Sequence, residues 1–188
     1  MQISKALNLV IPVESESGML YVHATPIQKE TYREHFLVLS KTFAALFGEG
    51  LGVVAGPRIA YLLLEKVAKE SGVWEGANGV KNDLIRTIIH GANVAVPIDG
   101  KGRELLPLYT ALEKGFLERD DVLGELVFFT CVCAINKPMQ ANVTMTAATG
   151  LWSSALTSSG ATDWMASLPT LTDDESTGAT ATTSSPTS

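Results

Sequence analysis

The sequence predicts a mainly α protein, with an N-terminal β-hairpin, then a bundle of about six helices, then a disordered C-terminal tail. Three patterns carry that reading: two short β-rich runs around ESESG, apolar residues spaced by three and four from Tyr32 to about Leu156, and the closing stretch SLPTLTDDESTGATATTSSPTS. One globular domain is expected over 1–166, with the hairpin at 7–23 and a helical body at 25–166, followed by a disordered acidic Ser/Thr-rich tail at 167–188. A chain of 188 residues, 46% hydrophobic, is long enough for one well-buried core.

Leu7, Leu9, Ile11 and Val13 alternate with Asn8 and Pro12, which is strand periodicity, and Pro12 marks an edge strand or its end. After ESESG, Met19–His23 (MLYVH) reads as the second strand. Two strands alone are marginal in water, so the hairpin must lean on something. In ATPIQKE, Thr25 sits at an N-cap position, Pro26 at the first helical position, and Gln28 completes a T-x-x-Q capping box. Along the helix that follows, Tyr32, Phe36, Leu39, Phe43 and Leu46 form a stripe that faces the core or a partner.

Gly48 ends this helix, and GEGLGVVAGPR leads to another with Ile59, Leu63 and Val67 on one side and a Glu65–Lys69 pair on the wet side. A loop, SGVWEGANG, precedes a third helix from about Lys81 to His90 that buries Leu84, Ile85, Ile88 and Ile89 and stops at Gly91. NVAVPIDGKGR is an extended connector or one more short strand, the connector being favoured. A short helix follows at about Leu106–Lys114. Asp120 and Asp121 then open an apolar helix, VLGELVFFTCVCAI, hydrophobic nearly all round and therefore central, which stops at Lys137 and Pro138. The last helical stretch spans about Met139–Leu156, weakened by Gly150 and several threonines, with Trp164 packing beyond it.

From Pro169 on the chain has no Lys, Arg or aromatic residue, and Ser, Thr, Ala and Gly surround Asp173, Asp174 and Glu175. Such a segment cannot bury enough apolar surface to offset an ordering cost of roughly 1–2 kcal/mol per residue. It reads as a spacer, a tether or a junction.

A net charge of −6 leaves no excess of cations for phosphates, so nucleic-acid binding is not expected. The N-terminal MQISKALNLVIPV lacks a signal-peptide pattern, and LVFFTCVCAI falls far short of the ~20 apolar residues of a membrane span, so a soluble, cytosolic protein is expected. Cys131 and Cys133, two apart on a helix, point about 200° from each other and cannot share an ion; they read as small buried hydrophobes.

No catalytic, cofactor-binding or metal-ligating residue is expected. The G-x-G at Gly50 and Gly52 follows a helix rather than a strand, which argues against a dinucleotide site. His23, His35 and His90 have no Cys or carboxylate at ligand spacing. Asp120, Asp121 and Glu125 could form an acid–base cluster, but helix-start charge accounts for the first two. Ser153 and Ser154 lie outside any G-x-S-x-G elbow.

The order of short hairpin, Thr-Pro helix, helical body and acidic low-complexity tail resembles the tail assembly chaperones of long-tailed, siphophage-type bacteriophages. The stretches carrying the resemblance are LNLVIPV, YVHATPI, FLVLSKTFAALF, GLGVVAGPR, ELVFFTCVCAI and TSSGATDWMASLPTLT, and they cover most of the chain. The resemblance implies a non-enzymatic protein of the host cytoplasm that coats and solubilises the helical tape measure protein and is absent from the mature virion. It also implies a longer product, made by ribosomal frameshifting near the tail, that recruits the tail tube protein. Self-association through the hairpin edge follows from the sleeve such proteins resemble. Tyr32, Phe36 and Phe43 are the expected partner-binding residues. Alternatives are a structural tail or neck component retained in the virion and, less favoured, a nucleotide-binding enzyme.

Overall fold

A computed structural model describes residues 2–3, 8–16, 18–48, 56–98, 102–137, 139–141, 143–144 and 147. The expected N-terminal strands are present, but they belong to a larger antiparallel sheet in the order β1-β2-β3-β4-β5. Its strands are β1 (Gln2–Ile3), β2 (Leu9–Ser15), β3 (Gly18–Ala24), β4 (Ala92–Ile98) and β5 (Gly102–Pro107). The fold is therefore α+β, and the expectation of a mainly α hairpin-plus-bundle protein is overturned. β4 and β5 break into the anticipated helical body and place a second hairpin beside the first.

The β2–β3 hairpin closes where Ser15 faces Gly18, whose φ of +105° is a conformation that disfavours any side chain. Alternation then sorts the two faces. Leu9, Ile11, Val13, Leu20, Val22, Ala24, Ala92, Val94 and Val96 all enter the main core, while Val10, Tyr21 and Ala95 form a small cluster on the opposite face. Arg103 lies over the Tyr21 ring at 4.8 Å, and its Nη1 donates to the Met19 carbonyl at 2.8 Å, fastening β5 to β3 across β4.

The helical layer comprises α1 (Lys29–Glu34), α2 (Phe36–Gly48), α3 (Ala60–Glu70), α4 (Leu84–His90), α5 (Leu108–Glu113) and α6 (Leu123–Ile135). Short 3₁₀ turns at Gly56–Ile59 and Arg119–Asp121 precede α3 and α6. α4 and α5 pack on β4, whereas α2, α3 and α6 pack on one another, and one core joins both groups to the inner face of the sheet.

Several boundaries differ from the sequence reading. The first helix starts at Lys29, after Gln28 in extended backbone and without a side-chain cap, and Thr25–Gln28 form a connector between β3 and this helix. The predicted single helix breaks at His35 (φ −102°, ψ 11°), separating α1 from α2. The stretch from Leu106 is strand up to Pro107 before α5 begins. Asp120 and Asp121 belong to the 3₁₀ turn rather than to the first turn of α6. There Glu118 and Asp121 form a capping box, with the Asp121 carboxylate accepting from the Glu118 N–H at 3.0 Å.

Other readings agree with the structure. Leu84, Ile85, Ile88 and Ile89 are all buried on α4, and Lys69 pairs with Glu65 on α3. α6 is central, with Leu126, Val127, Phe128, Phe129 and Val132 at most 2% exposed. The Gly50–Gly52 motif, Ser153, Ser154, Trp164 and the tail 167–188 lie outside the described residues. Among the described residues, no helix is long and apolar enough to cross a membrane.

Candidate partner-binding face

Helix α2 is almost devoid of charge, with only Lys41 among FLVLSKTFAALFG. Successive residues advance about 100° around a helix, so its buried set, Val38, Leu39, Thr42 and Leu46, occupies one side. Phe36, Leu37, Ser40, Ala44 and Phe47 cluster on the other. Phe36 is 50% exposed, Leu37 62% and Phe47 39%. Three large apolar side chains thus face solvent along one helical arc, Phe36 and Leu37 at its start and Phe47 three turns on, and exposed apolar surface is what interaction sites are built from. Leu62, on the neighbouring α3, is a further exposed apolar residue.

Of the three residues expected to bind a partner, only Phe36 lies fully on this surface. Phe43 is half-buried, packs against the core and holds the Phe47 ring at 4.9 Å. Phe47 in turn meets the core ring of Phe128 at 6.5 Å. The exposed edge of the stripe is thus braced from beneath by aromatic contacts. Tyr32 precedes the break at His35 and packs half-buried against the core; burial, with the neighbouring Cys133 thiol adding to it, raises its phenol well above the ordinary range. Leu37 and Phe47 were missed. The signal for Phe47 was its placement eleven residues after Phe36, three helical turns on along the same line.

The other candidate chemistry disperses. Glu125, on α6, is largely buried, and its Oε2 has no hydrogen-bond partner; burial raises its pKa, with the charge of Arg58 opposing. Asp121 is occupied in its capping box and Asp120 is exposed. Cys131 is fully buried, and burial pushes the Cys133 thiol up to about 12, so both thiols are poor nucleophiles. His23 is buried on β3, where desolvation lowers its pKa, and His90 stacks on Tyr109 at 4.8 Å.

His35 differs from these. It is buried between α1 and α2, and its Nε2 lies 2.8 Å from Oδ2 of Asp83, which the fold brings from the residue preceding α4. Asp83 also borders an open polar cavity of about 610 Å³ shared with Thr25, Gln28, Arg86, Thr87 and His90.

Compared with known proteins, the chain matches no family model, no curated protein and no solved structure.

Proposed function

We propose that the chain is a phage tail assembly chaperone, which binds the tape measure protein and keeps it soluble until tail tube subunits polymerise around it. The observation that carries this reading is the α2 stripe of Phe36, Leu37 and Phe47, held outward while the opposite side of the same helix is sealed into the core. A tape measure protein presents long amphipathic helices, and apolar side chains projecting from a firm helix are what such segments pack against. The sequence stretches that resemble this family include FLVLSKTFAALF, which supplies the stripe itself.

In this reading the protein acts in the host cytoplasm, performs no catalysis and leaves before the virion is complete. A longer frameshifted form, extended from the acidic tail, recruits the tail tube protein. Self-association uses sheet edges different from those anticipated. The hairpin edge on β3 is covered by β4, and β1 covers β2 at Leu9 and Val10, so among the described residues the edges left for a second copy are the remainder of β2 and the outer side of β5.

The test is co-expression with the tape measure protein of the same genome, reading its soluble fraction. The expected result is rescue by the wild-type chain and loss of rescue by Phe36→Ser/Leu37→Ser. A tape measure protein equally insoluble with and without this chain overturns the proposal. Stoichiometric recovery of the chain from purified virions would instead identify a retained structural component.

A further inference from the structure

We propose that Glu34, His35 and Asp83 form a binding site for a zinc ion that ties the α1–α2 junction to the start of α4. Each of the three offers one ligand atom, and these atoms lie within 4.8 Å of one another, with His35 Nε2 and Asp83 Oδ2 at 2.8 Å. Zinc bonds to imidazole nitrogen and carboxylate oxygen are about 2.0–2.2 Å, which puts neighbouring ligand atoms of a tetrahedral site about 3.3 Å apart. The His35–Asp83 separation is about 0.5 Å short of that value, and all three ligand atoms fall within 4.8 Å. Glu34 is exposed and the Asp83 side chain 36% exposed, so both carboxylates can adjust while the buried imidazole stays fixed.

Two features of the backbone favour this cluster. Adjacent residues of an unbroken helix diverge by about 100°, which would carry Glu34 away from His35. His35 has left the helical conformation, and the ligand atoms of the two neighbours lie within 4.8 Å. Asp83, for its part, stands at the N-cap position of α4, where an aspartate ordinarily accepts from its own helix; its side chain makes no such bond and meets His35 instead. Its backbone is held, since the Asp83 N–H donates to the Gly79 carbonyl at 2.8 Å and the Thr87 N–H to the Asp83 carbonyl at 2.9 Å. The central ligand and its partner are therefore preorganised.

The donor set selects the metal. One imidazole with two carboxylates suits zinc, whereas magnesium and calcium take oxygen ligands. Three protein ligands leave a fourth position for water, and Asp83 borders the polar cavity from which water can reach it.

The experiment is isothermal titration of tag-free, chelator-treated full chain with zinc chloride, together with thermal unfolding with and without zinc. Wild type should bind one equivalent, unfold at a higher temperature with zinc, and respond far less to magnesium. Glu34→Gln changes an exposed side chain and should leave the metal-free unfolding temperature unchanged while weakening zinc binding about tenfold or more; Asp83→Asn should weaken it comparably. Absence of zinc-dependent heat up to millimolar concentration overturns the proposal. Unchanged zinc affinity in both variants also overturns it, because the ion then sits elsewhere.

Discussion

Helices α2 and α6 are the same length, 13 residues each, and each carries a single charged side chain, Lys41 in one and Glu125 in the other. Each also buries a threonine in the same way, Thr42 bonding back to the Val38 carbonyl at 2.9 Å and Thr130 to that of Leu126 at 2.8 Å. Their fates differ. α6 has α2, α3, α4 and the Gly56–Ile59 turn around it and is buried from Leu123 to Val132 apart from Glu125. α2 meets its main helical neighbours, α3 and α6, on one side, and the aromatic and aliphatic residues opposite are left in water. Apolarity sets how much surface a helix could bury; topology sets how much it does. The surplus on α2 is what makes it the candidate partner face.

The sharpest break of this contrast is to remove equivalent rings. Phe128→Ala on α6 empties a site with no solvent exposure and should cost about 3–5 kcal/mol in urea unfolding. A cost below about 1 kcal/mol would mean that α6 is not the central helix.

Gly124→Ala probes how closely α6 is enclosed. A Cβ there would lie 2.3 Å from the Arg58 carbonyl oxygen and 2.6 Å from its Cα, both backbone atoms that cannot turn aside. Alanine gains up to about 1 kcal/mol in helix propensity. The clash should outweigh that gain, for a net loss of about 1–3 kcal/mol, visible as a lowered unfolding temperature. A stabilised variant would show that α6 and the Gly56–Ile59 turn are not packed backbone to backbone.

The same contrast explains what the sequence made legible. The stripe of α4 follows local periodicity and the burial of α6 follows its unbroken run of apolar residues, and both are local patterns that a single sequence displays. β4 and β5 escaped because their evidence is non-local. Tyr21 pairs with Ala95 and His23 with Asn93 across about 70 residues, and Pro97 argues against a strand until one sees that it lies beyond the last β3–β4 pair, at Tyr21–Ala95. The candidate face was half legible for a related reason. A continuous helix would have kept Tyr32, Phe36 and Phe43 on one stripe, but the break at His35 uncouples Tyr32, and α6 draws Phe43 inward. At that break His35 meets Asp83, 48 residues away, which no spacing rule links to it.

A smaller effect tests the one charge inside α6. Because burial raises the Glu125 pKa, the folded state holds this proton more tightly than the unfolded chain. Its contribution is complete below the ordinary carboxylate range and is lost as pH rises through the folded value. Glu125→Gln removes that dependence, so the variant should be more stable than wild type near pH 8 by about 1 kcal/mol, with the advantage vanishing toward pH 4. Unfolding temperatures across this range are the check. A constant difference at every pH would assign the effect to packing rather than to the charge.

The smallest expected effect on stability belongs to Phe36→Ser and Leu37→Ser, and it is the most telling for function. Both side chains are at least half exposed, so each substitution should change unfolding free energy by no more than about 0.5 kcal/mol. Phe47 is a poorer probe, because its ring touches Phe43 and loss of that contact would mix stability with binding. The two substitutions at the start of α2 therefore separate the roles that the buried span of α6 cannot separate, since every large residue from Leu123 to Val132 is one that folds the chain. If the double variant keeps its stability and no longer holds the tape measure protein in solution, the surplus apolar surface of α2 is a binding surface. If it loses more than about 1 kcal/mol, the stripe is covered within the chain itself, and α2 is a second α6.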